Sequence, residues 1–366
     1  MVYRVIGLMS GSSLDGLDIA YVHLQETGGK WSYEIVKADC YEYSADWVAK
    51  LSNAINLNAR DYLLLHSAYG EYIGQMVNRF ISSGNIQYQV QLIASHGHTT
   101  FHMPSRKMTA QLGDGAAIAA VTGINTVTDL RAMDVALGGQ GAPIVPIGEK
   151  ILLGDYNFFL NLGGIANLSL NHPDQYLAFD VCPANRVLNL LANQAGKPYD
   201  DDGKMAASGN VNERLLEELN SLEYYRQVYP KSLANDFGTD LVYPIVQKAG
   251  LNTEDAIRTF TEHICVQIGK AVDLLGPRIQ MGPAGLKLLA TGGGALNGFM
   301  MRRLQEVLKP LNVTVEIPGT DLIQYKEALV MALIGVLRWR EENNVLASVT
   351  GAVRNSIGGA VWIGQD

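Results

Sequence analysis

Apolar and polar positions along this chain follow two periods. Residues 2–9 and 18–24 predict a pair of strands and residues 33–43 a third. Residues 45–55 and 60–81 predict helices, the second with Leu63, Leu64, Ala68, Ile73, Val77 and Phe80 near helical spacing. A short buried strand at 90–94 runs into His96-Gly97-His98, a small-residue helix covers 113–121, and a strand at 125–129 leads into a long loop at 130–143. The pattern then restarts. Strands are expected at 156–161, 166–170 and 176–180, with a helix at 185–195. Residues 199–240 are polar and irregular and read as an insertion. A helix at 252–275 has Asn252 or Thr253 as its N-cap and Glu254-Asp255 in its first turn. A strand at 287–291, a helix at 297–308, a strand at 313–317 and a helix at 321–340 complete the chain. Meanders followed by alternating strands and helices predict an α/β protein with mixed sheets in two similar halves, 1–145 and 146–366.

Composition narrows the class. The chain is 48% apolar and 17% charged, which is the balance of a folded chain. Its net charge of −8, with no basic stripe interleaved with aromatics, argues against a nucleic-acid partner. Cys40, Cys182 and Cys265 are widely spaced, as expected in a reducing cytoplasm. No apolar run approaches the ~20 residues needed to span a bilayer, so no membrane partner is expected.

Glycine, at 38 residues, concentrates in turns that carry candidate chemistry. Ile6–Ala20 and Phe159–Ser169 each read as strand, tight glycine turn, strand. Such turns expose backbone N–H groups able to hold phosphate oxygens. Neither turn is followed by a helix, so neither is a P-loop or a dinucleotide fingerprint. Gly11, Ser12, Ser13, Asp15 and Gly16 in the first, and Asn161, Gly163 and Gly164 in the second, form a duplicated phosphate clamp; a plain hairpin turn is the competing reading for either alone. Asp15, and secondarily Asp18, would hold Mg²⁺ through water. Gly292, Gly293 and Gly294 lie between a strand and a helix, where they admit either a flat ring or a close strand–helix crossing. Asp180 ends a strand, a place suited to a general base, an N-cap or an ion pair. Arg131 would clamp a carboxylate or pair with Asp129 or Asp134, and Glu327 sits in the first turn of the last helix. His96, His98 and His102 suggest zinc, polar-ligand binding or simple loop structure.

With these residues in place, the chain resembles the 1,6-anhydro-N-acetylmuramic acid kinases, a family within the superfamily of sugar kinases, heat-shock chaperones and actin. The matching segments are 7–18, 95–104, 128–146, 161–167, 178–185, 202–209, Pro230-Lys231-Ser232, 292–297 and 349–352, in order along the chain. The resemblance implies two actin-like (ribonuclease H-like) lobes with mixed five-stranded sheets, flanking helices and an ATP cleft. It implies that Asp180 deprotonates a water that opens the 1,6-anhydro ring while O6 takes the γ-phosphoryl group, giving N-acetylmuramate 6-phosphate and ADP. It further implies ATP and Mg²⁺ as cofactors, Gly292–Gly294 and Asn297 at the nucleotide, and His98, Arg131, Asn185 and Glu327 at the amino sugar. A homodimer and a role in cell-wall recycling are implied as well. Departures from the family pattern are Ser12 for threonine, Cys182 for a glycine beside the base, Asn189 for aspartate, and Leu233-Ala234-Asn235 for Thr-Gly-Arg. They raise a catalytically weak regulator of the same fold as the alternative.

Overall fold

A computed structural model describes residues 1–172, 176–229, 231–234, 236–279 and 285–364; Pro230 and Asn235, singled out above, lie outside them. The chain forms two compact units. One comprises Met1–Leu153 with Tyr325–Asp366, the other Gly154–Gln324.

The first unit carries β1 (Val2–Ser10), β2 (Gly16–Thr27), β3 (Lys30–Glu42), β4 (Leu92–Met103), β5 (Met108–Leu112) and β6 (Thr126–Thr128). The second carries β7 (Phe158–Leu162), β8 (Ile165–Asn171), β9 (Tyr176–Pro183), β10 (Leu286–Thr291) and β11 (Val313–Glu316). The last strand, β12 (Ala360–Trp362), returns to the first sheet. The two sheets share one topology. Spatial order is β3-β2-β1-β4-β6 in one and β9-β8-β7-β10-β11 in the other. In each, three strands form an antiparallel meander and the next two run parallel to its first strand. This is a duplicated ribonuclease H-like arrangement, the actin-like fold expected from the sequence. The first sheet is larger than expected: β5 pairs with β4 and β12 with β6, which makes seven strands.

Apolar faces of strand and helix close each core. Ile6, Leu8, Ile19 and Tyr21 meet Tyr69, Ile73, Val77 and Phe80 of the helix Ala59–Gly84. Phe158, Leu160 and Leu168 share a second core with Phe260, Ile264 and Ile268 of the helix Thr253–Leu275. Each such side chain contributes about 1.5–3 kcal/mol relative to exposure. Asn252 caps that second helix, accepting from the Asp255 amide at 2.8 Å.

Several sequence expectations change. The second unit was expected to begin near residue 146 and run to the C-terminus, yet residues from Tyr325 onward join the first unit. The cause is close packing of the long helix Thr320–Trp339. At Gly7 a Cβ would fall 1.8 Å from the Ala328 carbonyl oxygen, so only glycine lets β1 approach that backbone. A buried ion pair, Lys326 to Glu149 at 2.9 Å, ties this helix to the helix Pro146–Leu152 and keeps residues 146–152 in the first unit. The loop at 130–143 contains a short helix, Ala132–Ala136. The histidines expected on a loop lie on β4, because residues 98–103 pair with the short polar strand β5. The irregular stretch at 199–240 includes the helices Lys204–Ser208 and Glu213–Asn220. No helix among the described residues is long and apolar enough to cross a membrane.

Candidate active site

In the second unit, sheet register aligns Thr291, Asn161, Asn167 and Asp180 in one row across four strands. The row ends on a carboxylate held from two sides. Asn167 Nδ2 donates to Asp180 Oδ1 at 3.0 Å, and the Leu233 amide donates to Oδ2 at 2.9 Å. The Tyr224 hydroxyl donates to the Asp180 carbonyl at 2.6 Å, while the Asp180 amide donates to the Lys231 carbonyl at 3.3 Å. Lys231 Nζ lies 4.5 Å from the Tyr224 ring centroid. Asp180 is therefore a half-buried carboxylate of fixed orientation and not a helix cap. Sequence reasoning missed Asn167, Tyr224 and the Leu233 amide as its supports. The Asn167 signal was available, since a meander pairs that position with the end of the next strand.

Cys182 does not crowd this carboxylate. An irregular register between Ala166 and Asn167 opposes Ala166 to Cys182 and Asn167 to Asp180. Val181 and Cys182 both pack in the apolar core. Burial pushes the Cys182 thiol far up, so it stays protonated and serves packing.

The glycines divide by what surrounds them. Gly163 and Gly164 have no positive φ, and an added Cβ would meet nothing nearer than 3.6 Å. Neither backbone nor packing demands glycine there, so the missing side chains leave the β7–β8 turn open to a ligand. Gly292 is different. Its φ is +79° and a Cβ would fall 2.5 Å from Asn161 Oδ1. Gly294 likewise abuts Leu162 Cβ at 2.7 Å, whereas at Gly293 the nearest atom is 3.9 Å away. Two of the three thus serve the strand crossing and one faces open space. A cavity of about 380 Å³ collects Gly293, Gly294 and Asn297 with Asn185, Asn189, Tyr199 and Asp202. Asn185, expected near the sugar, lies with these glycines and donates to the Leu162 carbonyl at 2.9 Å. Asn297 caps the helix Gly298–Leu308, accepting from the Met300 amide at 2.9 Å.

In the first unit, the turn between β1 and β2 exposes Ser12, Ser13 and Asp15. Asp15 Oδ1 accepts from Ser13 Oγ at 2.6 Å and from the Gly16 amide at 3.1 Å. Gly16 serves the sheet, since a Cβ would fall 2.5 Å from Cys40 Sγ; Gly11 has no comparable backbone neighbour. Asp18 is pushed up to about 6, chiefly by burial and further by the charges of Asp15 and Glu327; a hydrogen bond with Cys40 opposes the rise. Among the described residues no three His, Cys, Asp or Glu side chains could hold a metal directly. The donor set does fit Mg²⁺, which keeps most of its water and leans on one or two carboxylates and substrate phosphates. The crowded negative charge at Asp18 favours a cation there.

Arg131 pairs with neither Asp129 nor Asp134. Its Nε donates to His96 Nε2 at 2.8 Å and its Nη1 to the Gly141 carbonyl. Burial, reinforced by that guanidinium, pulls His96 down to about 3. Asp134 instead shapes the glycine loop at 138–141, accepting from the Gly141 amide at 2.7 Å and from Thr350 Oγ1 at 2.6 Å. His98 Nδ1 lies 3.1 Å from Ser10 Oγ, and His102 Nδ1 lies 3.0 Å from Thr109 Oγ1. The three rings are thus engaged by different partners, which removes the basis for a zinc site. Glu327 is exposed, two residues beyond a break in helical geometry at Tyr325 (φ −115°, ψ 18°).

The family model described as anhydro-N-acetylmuramic acid kinase matches residues 3–364. A protein of that description from Vibrio parahaemolyticus is 33% identical over 365 residues, covering 95% of this chain and 95% of its own. One from Aliivibrio fischeri is 33% identical over 371 residues, covering 98% and 99%. Among solved structures, an activator of 2-hydroxyisocaproyl-CoA dehydratase from Clostridium difficile with bound ADPNP covers 93% of this chain and 96% of its own. It does so at 13% identity and a TM-score of 0.44, too distant a likeness to carry an argument. Matched over nearly its whole length by the family model and by relatives of the same description, the chain belongs to the anhydro-N-acetylmuramic acid kinase family.

Proposed function

We propose that this kinase uses ATP to phosphorylate O6 of 1,6-anhydro-N-acetylmuramic acid while water opens the anhydro ring, releasing N-acetylmuramate 6-phosphate and ADP. The observation that carries the reading is the carboxylate of Asp180, fixed by Asn167 and the Leu233 amide at the end of its strand. That carboxylate takes a proton from water as the water oxygen bonds to C1. The C1–O6 bond breaks, its electron pair stays on O6, and O6 attacks the γ-phosphorus as ADP leaves. A general base contributes about 10²–10⁴ in rate.

The rest of the chain would supply binding and charge stabilisation. Amides of the Gly11–Gly16 and Gly163–Gly164 turns, with Ser12, Ser13 and Asn161, are assigned to the ATP phosphates. The open face of Gly293 and the cavity around Asn185, Gly294 and Asn297 suit the nucleoside. Mg²⁺ held through water by Asp15 would offset phosphate charge. Arg131, His98 and Glu327 are assigned to the sugar. Arg131 suits its carboxylate, since the neutral His96 ring and the Gly141 carbonyl orient the guanidinium without cancelling its charge. The proposal includes a homodimer, a cytoplasmic setting and a role in cell-wall recycling. The core position of Cys182 counts against the weak-regulator alternative. Purified protein incubated with ATP and the anhydro sugar tests the reading by mass spectrometry: a product heavier than the anhydro sugar by one phosphoryl group (HPO₃) and one water supports it, and ATP binding without product refutes it.

A further inference from the structure

Parallel pairing of β1 with β4 sets Ser10 beside His98, and behind them lie two buried tyrosines. Ser10 Oγ is 3.1 Å from His98 Nδ1, Tyr43 donates its hydroxyl hydrogen to Ser10 Oγ at 2.8 Å, and the Tyr69 hydroxyl is 2.6 Å from that of Tyr43. We infer that this hydroxyl chain fixes His98 as the tautomer protonated on Nε2, so that Tyr69, Tyr43 and Ser10 are positioning residues for a hydrogen-bond donor aimed at the substrate.

Hydrogen counting gives the direction. Tyr43 has one hydroxyl hydrogen, and it goes to Ser10; Tyr69 therefore donates to Tyr43. Ser10 accepts from Tyr43 and has one hydrogen of its own. Its remaining side-chain partner in hydrogen-bond geometry among the described residues is His98 Nδ1, the contact of Ser10 with the Tyr69 hydroxyl falling outside that geometry. A proton on Nδ1 would leave the hydroxyl hydrogen of Ser10, which is 3% exposed, with no acceptor, and buried donors are rarely left so. Nδ1 must accept, and Nε2 carries the hydrogen. Burial disfavours the charged ring, so the group is neutral.

Two residues away, the same logic gives the opposite result. Arg131 has only hydrogens to offer, so His96 Nε2 accepts from it, and His96 Nδ1 donates to the Gly97 carbonyl at 2.8 Å. One strand thus holds two neutral histidines in opposite tautomers, one supporting Arg131 and the other presenting a donor. His98 Nε2 has no hydrogen-bond partner among the described residues. A neutral ring offering a single donor and no acceptor suits an ether or carbonyl oxygen of the sugar; this last step rests on the function proposed above.

Protein labelled with ¹⁵N-histidine tests the relay through ring-proton-to-nitrogen correlation spectra, with His98→Gln and His96→Gln assigning the signals. The relay requires an unprotonated Nδ1 and a protonated Nε2 at His98, and the reverse at His96. A proton on His98 Nδ1, or an even mixture, overturns it. This wild-type measurement decides whether or not a variant folds. Ser10→Ala removes the hydroxyl whose hydrogen keeps Nδ1 an acceptor, so the His98 signals should move toward a mixture. The KM for sugar should rise about two- to tenfold with the KM for ATP unchanged. An unchanged spectrum and unchanged sugar KM in folded Ser10→Ala would overturn the relay. The two readings fail separately. Nε2–H without sugar-phosphate formation sinks the proposed reaction and leaves the relay standing, whereas turnover with Nδ1–H does the reverse.

Discussion

Replacing Asn167 by alanine removes one of the two donors that hold the Asp180 carboxylate, the one at 3.0 Å on Oδ1. Oδ2 keeps its 2.9 Å hydrogen bond from the Leu233 amide, so the group stays in place but is free to rotate about that single contact. A hydrogen bond to a charged group is worth about 1.5–3 kcal/mol, and if that stabilisation is needed at the transition state kcat falls about 10- to 150-fold. Neither substrate contacts Asn167 in this scheme, so both KM values should stay within about threefold. The assay is steady-state ADP release dependent on the anhydro sugar, with thermal melting to show that the variant folds. Coupling gives a stricter check. Because Asn167 acts through Asp180, the double variant with Asp180→Asn should be no slower than Asp180→Asn alone. A kcat within threefold of wild type for Asn167→Ala, or additive losses in the double variant, would refute the positioning of the base by Asn167.

Three further outcomes follow from the same geometry. Gly292→Ala should destabilise the fold by about 1–3 kcal/mol, because its φ of +79° and the nearby Asn161 Oδ1 both oppose a Cβ. Gly293→Ala and Gly163→Ala, with nearest atoms at 3.9 and 3.6 Å, should melt like wild type yet bind ATP about tenfold or more weakly by calorimetry; normal binding in both would remove these turns from the nucleotide site. Asp18→Asn should become progressively more stabilising relative to wild type as pH rises. The folded carboxyl titrates near 6 and the unfolded one near 3.8, so the folded wild type holds extra protons between those values and loses their benefit across that window. A difference in melting temperature that stays constant from pH 4 to 8 would contradict this.

Legibility from sequence followed the range of the forces involved. Strands with clean alternation and helices with long apolar stripes, such as Ala59–Gly84 and Thr253–Leu275, were readable because their pattern is local. The strands β5 and β12 were missed because both are short and owe their conformation to a neighbouring strand. The return of the helix Thr320–Trp339 to the first unit is decided by contacts such as Gly7 with Ala328, which no local window contains. Candidate site residues could be proposed by type alone, whereas their partners lie elsewhere in the chain and could not be read. Arg131 reads from sequence as a clamp for a carboxylate or a partner of Asp129 or Asp134, and the structure sets it on His96 of β4. Cys182 looked like a neighbour of the base, until an irregular register turned it into the core. The glycine triplet could be read as ligand contact or as packing; the structure gives Gly292 and Gly294 to packing and leaves Gly293 uncrowded.

Activation of water by residue 180 is tested most directly by one comparison. Asp180→Asn and wild type are titrated with ATP by calorimetry, then incubated with ATP and 1,6-anhydro-N-acetylmuramic acid while sugar phosphate is counted. Nucleotide affinity within about twofold of wild type, with sugar-phosphate formation reduced about 10²–10⁴-fold, is the expected result. Product formation by Asp180→Asn at close to the wild-type rate would contradict it.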